Sequence, residues 1–140
     1  MKTQIVSKWM TPDPITVTPQ TTLPEAHRLM KEDNIRRLPV LDNDRLVGIV
    51  TWGDIREASA SDATSLNFFE LHTLLDRMPV REFMTRNPVT VHPITTISSA
   101  AHLMMEHKIG GLPVVDHHGR LVGIITESDI FRVLVLGEAA

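Results

Sequence analysis

The sequence predicts an α+β fold: two copies of one β-α-β-β-α unit packed as a pseudo-two-fold pair, with a partly helical connector. Three observations predict it. The chain nearly repeats itself, since residues 6–42 match 80–116 at 18 of 37 positions and 45–56 match 120–131 at 8 of 12. Each copy sets short β-branched runs around one stretch of helical periodicity. The chain has 140 residues, 42% of them apolar. Half of that is too little to bury a good core alone, so two copies are expected to complete a shared one. The copies occupy 1–56 and 80–140, and the connector 57–79.

Each copy opens with a lead-in, 6–10 or 80–84, before Thr-x-x-Pro or its counterpart. The runs 14–17 and 88–91 read as strands that Pro19 and Pro93 end, because proline cannot donate to a ladder. Thr21 and Thr22, and Thr95 and Thr96, offer helix caps. A helix over 24–33 places Ala26, Leu29 and Met30 on one face, and Ala100, Leu103 and Met104 repeat that spacing. Residues 38–41 and 45–51 then form a hairpin across Asp42, Asn43 and Asp44. Its counterpart turns through Asp116, His117, His118 and Gly119, where glycine can take a positive φ. Gly48 and Gly123, inside strands, signal close backbone approach. A last helix begins near Asp54 and near Asp129. In the connector, 58–65 is small and polar and reads as a loop. Residues 66–75 carry Leu66, Phe69, Leu71, Leu74 and Leu75, which predicts a helix packed on the pair or at an oligomer contact.

Composition excludes several functions. Fourteen basic residues face seventeen acidic ones, a net charge of −3, with no basic run to suit nucleic acid. The absence of cysteine removes disulfides, thiolate metal sites and cysteine nucleophiles together. The first residues lack a signal-peptide core, and no stretch approaches the ~18 apolar residues of a membrane span, so a cytoplasmic protein is expected. No nucleophile elbow, Walker loop or zinc motif is present, so no catalytic residue is assigned. His117 and His118 lie in a turn without carboxylate partners and predict no metal site. Met10, Met30, Met84, Met104 and Met105 read as core packing.

Ligand chemistry is expected at two repeated places. Thr51-x-x-Asp54 and Thr126-x-x-Asp129 each stand where a strand ends and a helix begins. An aspartate there either caps the helix or accepts hydrogen bonds from a ribose diol. Ahead of the Leu-Pro strand the copies differ: Ile35, Arg36 and Arg37 against Ile109, Gly110 and Gly111. The arginines offer guanidinium forks to phosphate, or are simply solvated. The glycines let a flat base approach the backbone, or form a plain turn. Trp52 has Glu127 as its counterpart, and either stacks on a base or covers the sheet.

The Leu-Pro-Val-x-Asp strand followed by Leu-Val-Gly-Ile-x-Thr-x-x-Asp, present twice, resembles the CBS domain. A tandem pair of these is a Bateman module. The connector resembles that of bacterial stand-alone CBS-pair proteins of the acetoin-utilisation type. The resemblance implies a regulatory module that binds AMP, ADP, ATP or S-adenosylmethionine as a regulatory ligand rather than an obligatory cofactor. It also implies a homodimer of pairs and a separate regulated protein. Carried over, one site uses Thr51 and Asp54 for ribose and Arg36 and Arg37 for phosphate, with Ile109, Gly110, Gly111, Thr85 and Thr90 near the base. The other uses Thr126 and Asp129 for ribose, with Ile35, Arg36, Thr11 and Thr16 around the base and Gly110 and Gly111 on a phosphate side without a cation. The Asp54 site is thereby expected to prefer phosphorylated ligands. The competing expectation is an oligomerisation module with no physiological ligand.

Overall fold

In the computed structural model, residues 4–62 and 76–137 are described. The elements in chain order are β1 (Thr11–Pro12), α1 (Leu23–Glu32), β2 (Arg37–Asp42), β3 (Arg45–Thr51), α2 (Trp52–Asp62), β4 (Thr85–Arg86), α3 (Ile97–His107), β5 (Gly111–Val115), β6 (Leu121–Thr126) and α4 (Glu127–Leu136). The chain divides into two compact units, Met1–Pro14 with Pro88–Ala140, and Ile15–Asn87.

In the Ile15–Asn87 unit, β2 and β3 form an antiparallel hairpin and β4 adds an edge to β3, Gly48 facing Arg86 and Ile49 facing Thr85. Asn43 and Asp44 both hold positive φ, 51° and 64°, as a tight two-residue hairpin turn demands. The apolar stripe of α1 packs Leu23, Ala26 and Met30 against Leu38, Val40 and Val50 of the hairpin and Ile55 of α2. Pro24 sits in the first turn of α1, where its missing N–H costs nothing. Val80, fully buried, completes this core.

The other unit follows the same plan, with sheet order β1-β6-β5. Gly119 takes φ 80° in the β5–β6 turn. Asp116 Oδ1 accepts the amides of Arg120 and His118, both at 2.9 Å. These bonds, the Arg120 amide foremost, hold the Asp116 carboxyl below its ordinary range. Val91, Ile97, Ala100, Met104, Leu112, Val114, Ile125 and Val133 form the core, and Val6 of the first copy joins them.

The edge strands therefore exchange copies: β1, from the first repeat, extends the second repeat's hairpin, and β4, from the second, extends the first's. Close packing at the edges explains the strand glycines. A Cβ on Gly48 would stand 2.5 Å from Met84 Sδ and 2.9 Å from the Thr85 carbonyl, and one on Gly123 would stand 2.9 Å from the Thr11 carbonyl and overlap Met10.

Three expectations are corrected. The runs 14–17 and 88–91 are not ladder strands; each makes one parallel bridge, Val17 to Val40 and Val91 to Val114. Prolines on both sides leave too few donors for more. The small, polar start of the connector is helical as far as Asp62. Alanine favours helix, and Ala58 packs against the core. Met105 is 79% exposed rather than packed. The expected helix over 66–75 lies outside the described residues.

Candidate functional site

Both Thr-x-x-Asp segments are built as caps. Thr51 ends β3, and its N–H donates to Asp54 Oδ2 at 2.9 Å, while the Asp54 N–H donates to Thr51 Oγ1 at 3.1 Å. This is a reciprocal capping box with aspartate in the third helical position. The exchange pins the carboxylate at the mouth of α2, where the helix dipole favours negative charge. In the other unit the Thr126 N–H and hydroxyl both donate to Asp129 Oδ2, at 2.9 and 3.3 Å. Capping thus uses one carboxylate oxygen in each copy. The outer oxygen differs: Asp54 Oδ1 forms no hydrogen bond among the described residues, whereas Asp129 Oδ1 accepts from Arg132 at 3.2 Å.

The residues ahead of each Leu-Pro strand are tied to the same place. The Trp52 N–H donates to the Arg36 carbonyl at 2.9 Å, and the Glu127 N–H to the Gly110 carbonyl at 3.0 Å. Arg37 faces Thr51, and Gly111 faces Thr126, across their hairpins. The structure thus brings Arg36, Arg37, Thr51 and Asp54 together in one unit and Gly110, Gly111, Thr126 and Asp129 together in the other. Thr85 lies on the edge strand of the Asp54 sheet, and Thr11 on that of the Asp129 sheet. Ile35 and Ile109 each donate an amide to the last turn of the preceding helix, at Met30 and Met104. Thr16 lies in the Asp54 unit and Thr90 in the Asp129 unit.

Two features escaped the sequence reading. Arg132 pairs with Asp129, and its guanidinium carbon stands 5.6 Å from the Trp9 ring centroid. The signal was available as an Asp-to-Arg spacing of three on a helix. Trp52 rests against His27 of α1, with ring centroids 4.9 Å apart. Among the described residues no cluster of acidic or histidine side chains could hold a metal, and no helix is long and apolar enough to cross a membrane.

The CBS domain family model matches residues 6–61 and 80–136. The chain belongs to the CBS domain family. A CBS domain-containing protein of Dictyostelium discoideum is 37% identical over 132 residues, covering 94% of this chain and 91% of its own. Several curated relatives are much longer; the chain spans 22% of an inosine-5'-monophosphate dehydrogenase of Korarchaeum cryptofilum, at 40% identity. Among solved structures, CBSX2 in complex with AMP superposes with a TM-score of 0.81 at 30% identity, covering 96% of this chain and 98% of that one. The CBS domain pair of protein MJ0100, in complex with 5'-methylthioadenosine and S-adenosyl-L-methionine, gives 0.81 at 32% identity and 98% of both chains. A protein assigned to acetoin utilization (AcuB) from Vibrio cholerae gives 0.81 at 33% identity, covering 98% and 96%. The chain is thus a tandem CBS pair of α+β fold, similar to a pair of the acetoin-utilization type.

Proposed function

We propose that this CBS pair is a regulatory module that senses an adenosine-containing ligand and is not itself an enzyme. The observation that carries the reading is the capping box at Thr51 and Asp54. It spends one carboxylate oxygen on the helix and leaves the other to accept from a donor such as a ribose diol. Arg36 and Arg37 stand in the same unit, where guanidinium groups suit phosphate. The related structures in complex with AMP and with S-adenosyl-L-methionine support the ligand class.

In this reading one site is centred on Thr51, Asp54, Arg36, Arg37 and Thr85 of the Ile15–Asn87 unit. The second is centred on Thr126, Asp129, Gly110, Gly111 and Thr11 of the other unit. The ligand acts only through its differential affinity for two arrangements of the protein. The expected result is a rise in unfolding temperature with AMP, ATP or S-adenosylmethionine that grows with concentration, as mass action requires. A flat response across such a panel would favour an oligomerisation module without a ligand.

The pair is also proposed to act as a homodimer. Phe131, Leu134, Val135 and Leu136 of α4 are 51–76% exposed, an apolar face of the kind that marks association. Light scattering is expected to give twice the 15.7 kDa chain mass. Phe131→Glu is expected to give the monomer; a monomeric wild type rejects the proposal.

A further inference from the structure

We infer that Arg132 is a specificity-determining clamp on Asp129, which a ribose must displace, so that the two copies bind the same nucleoside with unequal affinity. The inference rests on the ribose role proposed above.

Asp129 is the one buried charged residue among those described, 6% exposed. Both its oxygens are committed. Oδ2 takes two bonds from Thr126, and Oδ1 pairs with the Arg132 guanidinium. A diol that enters must compete with a charge-assisted bond, roughly twice as strong as a neutral one. Arg132 is held from its far side as well. Its guanidinium lies within cation–π range of Trp9, whose indole N–H donates to Gln4 Oε1 at 3.0 Å. Gln4 Nε2 donates in turn to the Gly137 carbonyl at 3.3 Å, at the end of α4.

Among the described residues, Asp54 has no such clamp. Glu57 stands three residues after Asp54, where Arg132 follows Asp129, and Phe83 stands where Trp9 does. An acidic residue there cannot pair with Asp54. The copies share the cap and differ in the clamp, and the difference falls on the oxygen that capping does not use. Displacing Arg132 also frees its contact with Trp9, so occupancy of Asp129 has a local optical signature.

The test is titration calorimetry with adenosine and AMP, and with 2',3'-dideoxyadenosine as the probe without a diol. The proteins are wild type, Arg132→Met and Glu57→Arg. Arg132→Met is expected to strengthen adenosine binding at the Asp129 step roughly tenfold, about the scale of one charge-assisted bond, and to leave the dideoxy probe unchanged. Glu57→Arg, at an exposed position, is expected to weaken the Asp54 step by a similar factor. In a Trp52→Phe protein, Trp9 is the remaining indole, and its emission is expected to shift as the Asp129 step fills. Unchanged affinity in Arg132→Met beside a wild type that binds overturns the clamp. Weakened affinity also overturns it, by making Arg132 a ligand contact. If Arg132→Met does not fold, unchanged Asp54 affinity in Glu57→Arg overturns it alone. Failure of every probe on every protein instead removes the ribose reading itself, and the clamp with it.

Discussion

Replacing Asp54 by alanine is expected to lower AMP affinity at its site by roughly 10- to 100-fold, the worth of hydrogen bonds to a charged acceptor. Two effects combine in that substitution, and they can be separated. The ribose loses its acceptor at Oδ1. The Thr51 amide also loses its partner at Oδ2, and cap loss costs about 1 kcal/mol of stability. Asp54→Asn divides the two, because its side-chain carbonyl can still accept from Thr51 while the charge is gone. Asn is therefore expected to restore most of the thermal stability and little of the affinity. Asp129→Ala is expected to cost less affinity for AMP, because Arg132 already competes for that carboxylate. Calorimetry on the three variants decides the matter. An AMP affinity that survives Asp54→Ala and disappears in Asp129→Ala would reject the assignment of the stronger site.

Val6→Asp is expected to destabilise the unit that carries the second repeat, by on the order of 4 kcal/mol, the scale of an unpaired charge placed in a core. Val6 lies in the lead-in of the first repeat, yet it is fully buried among Val91, Ile97, Leu112 and Val133. Its amide donates to the Thr95 carbonyl at 2.8 Å and that of Ser7 to the Pro93 carbonyl at 2.9 Å. Amide exchange is expected to accelerate in β5, β6 and α4 while β2 and β3 keep their protection. Val80→Asp is the mirror case, since Val80 is buried with Leu38 and Val50. Loss of protection in β2 and β3 first, on Val6→Asp, would contradict the exchanged packing.

Much of this protein was legible from residue order alone. The duplication established the plan. The hairpins were readable because Asp42, Asn43 and Asp44, and Gly119, are turn formers flanked by β-branched runs. The glycine positions signalled close approach, and Met84 and Met10 are what approaches. Edge strands of two residues, such as β1 and β4, carry no periodicity, so nothing local says which hairpin they join. The runs 14–17 and 88–91 looked more strand-like than β1, because valine and isoleucine report burial on a pleated surface as readily as ladder pairing. The helical start of the connector was hidden by serine and aspartate, which favour turns unless packing such as that of Ala58 overrides them.

The candidate site divides along the same line. The sequence by itself determined the paired Thr-x-x-Asp segments, the Arg36 and Arg37 against Gly110 and Gly111 contrast, and through them the family. These are local patterns, and a cap or a turn is recognisable from a few neighbouring residues. Only the tertiary structure decided that capping uses one oxygen of each aspartate, that Arg132 takes the other in one copy, and that Trp9 stands beside it. Trp9 meets Arg132 because the first lead-in joins the second repeat's unit. Such a contact depends on which chain segments fold together, and the cost of closing a long loop is settled by burial in the finished core.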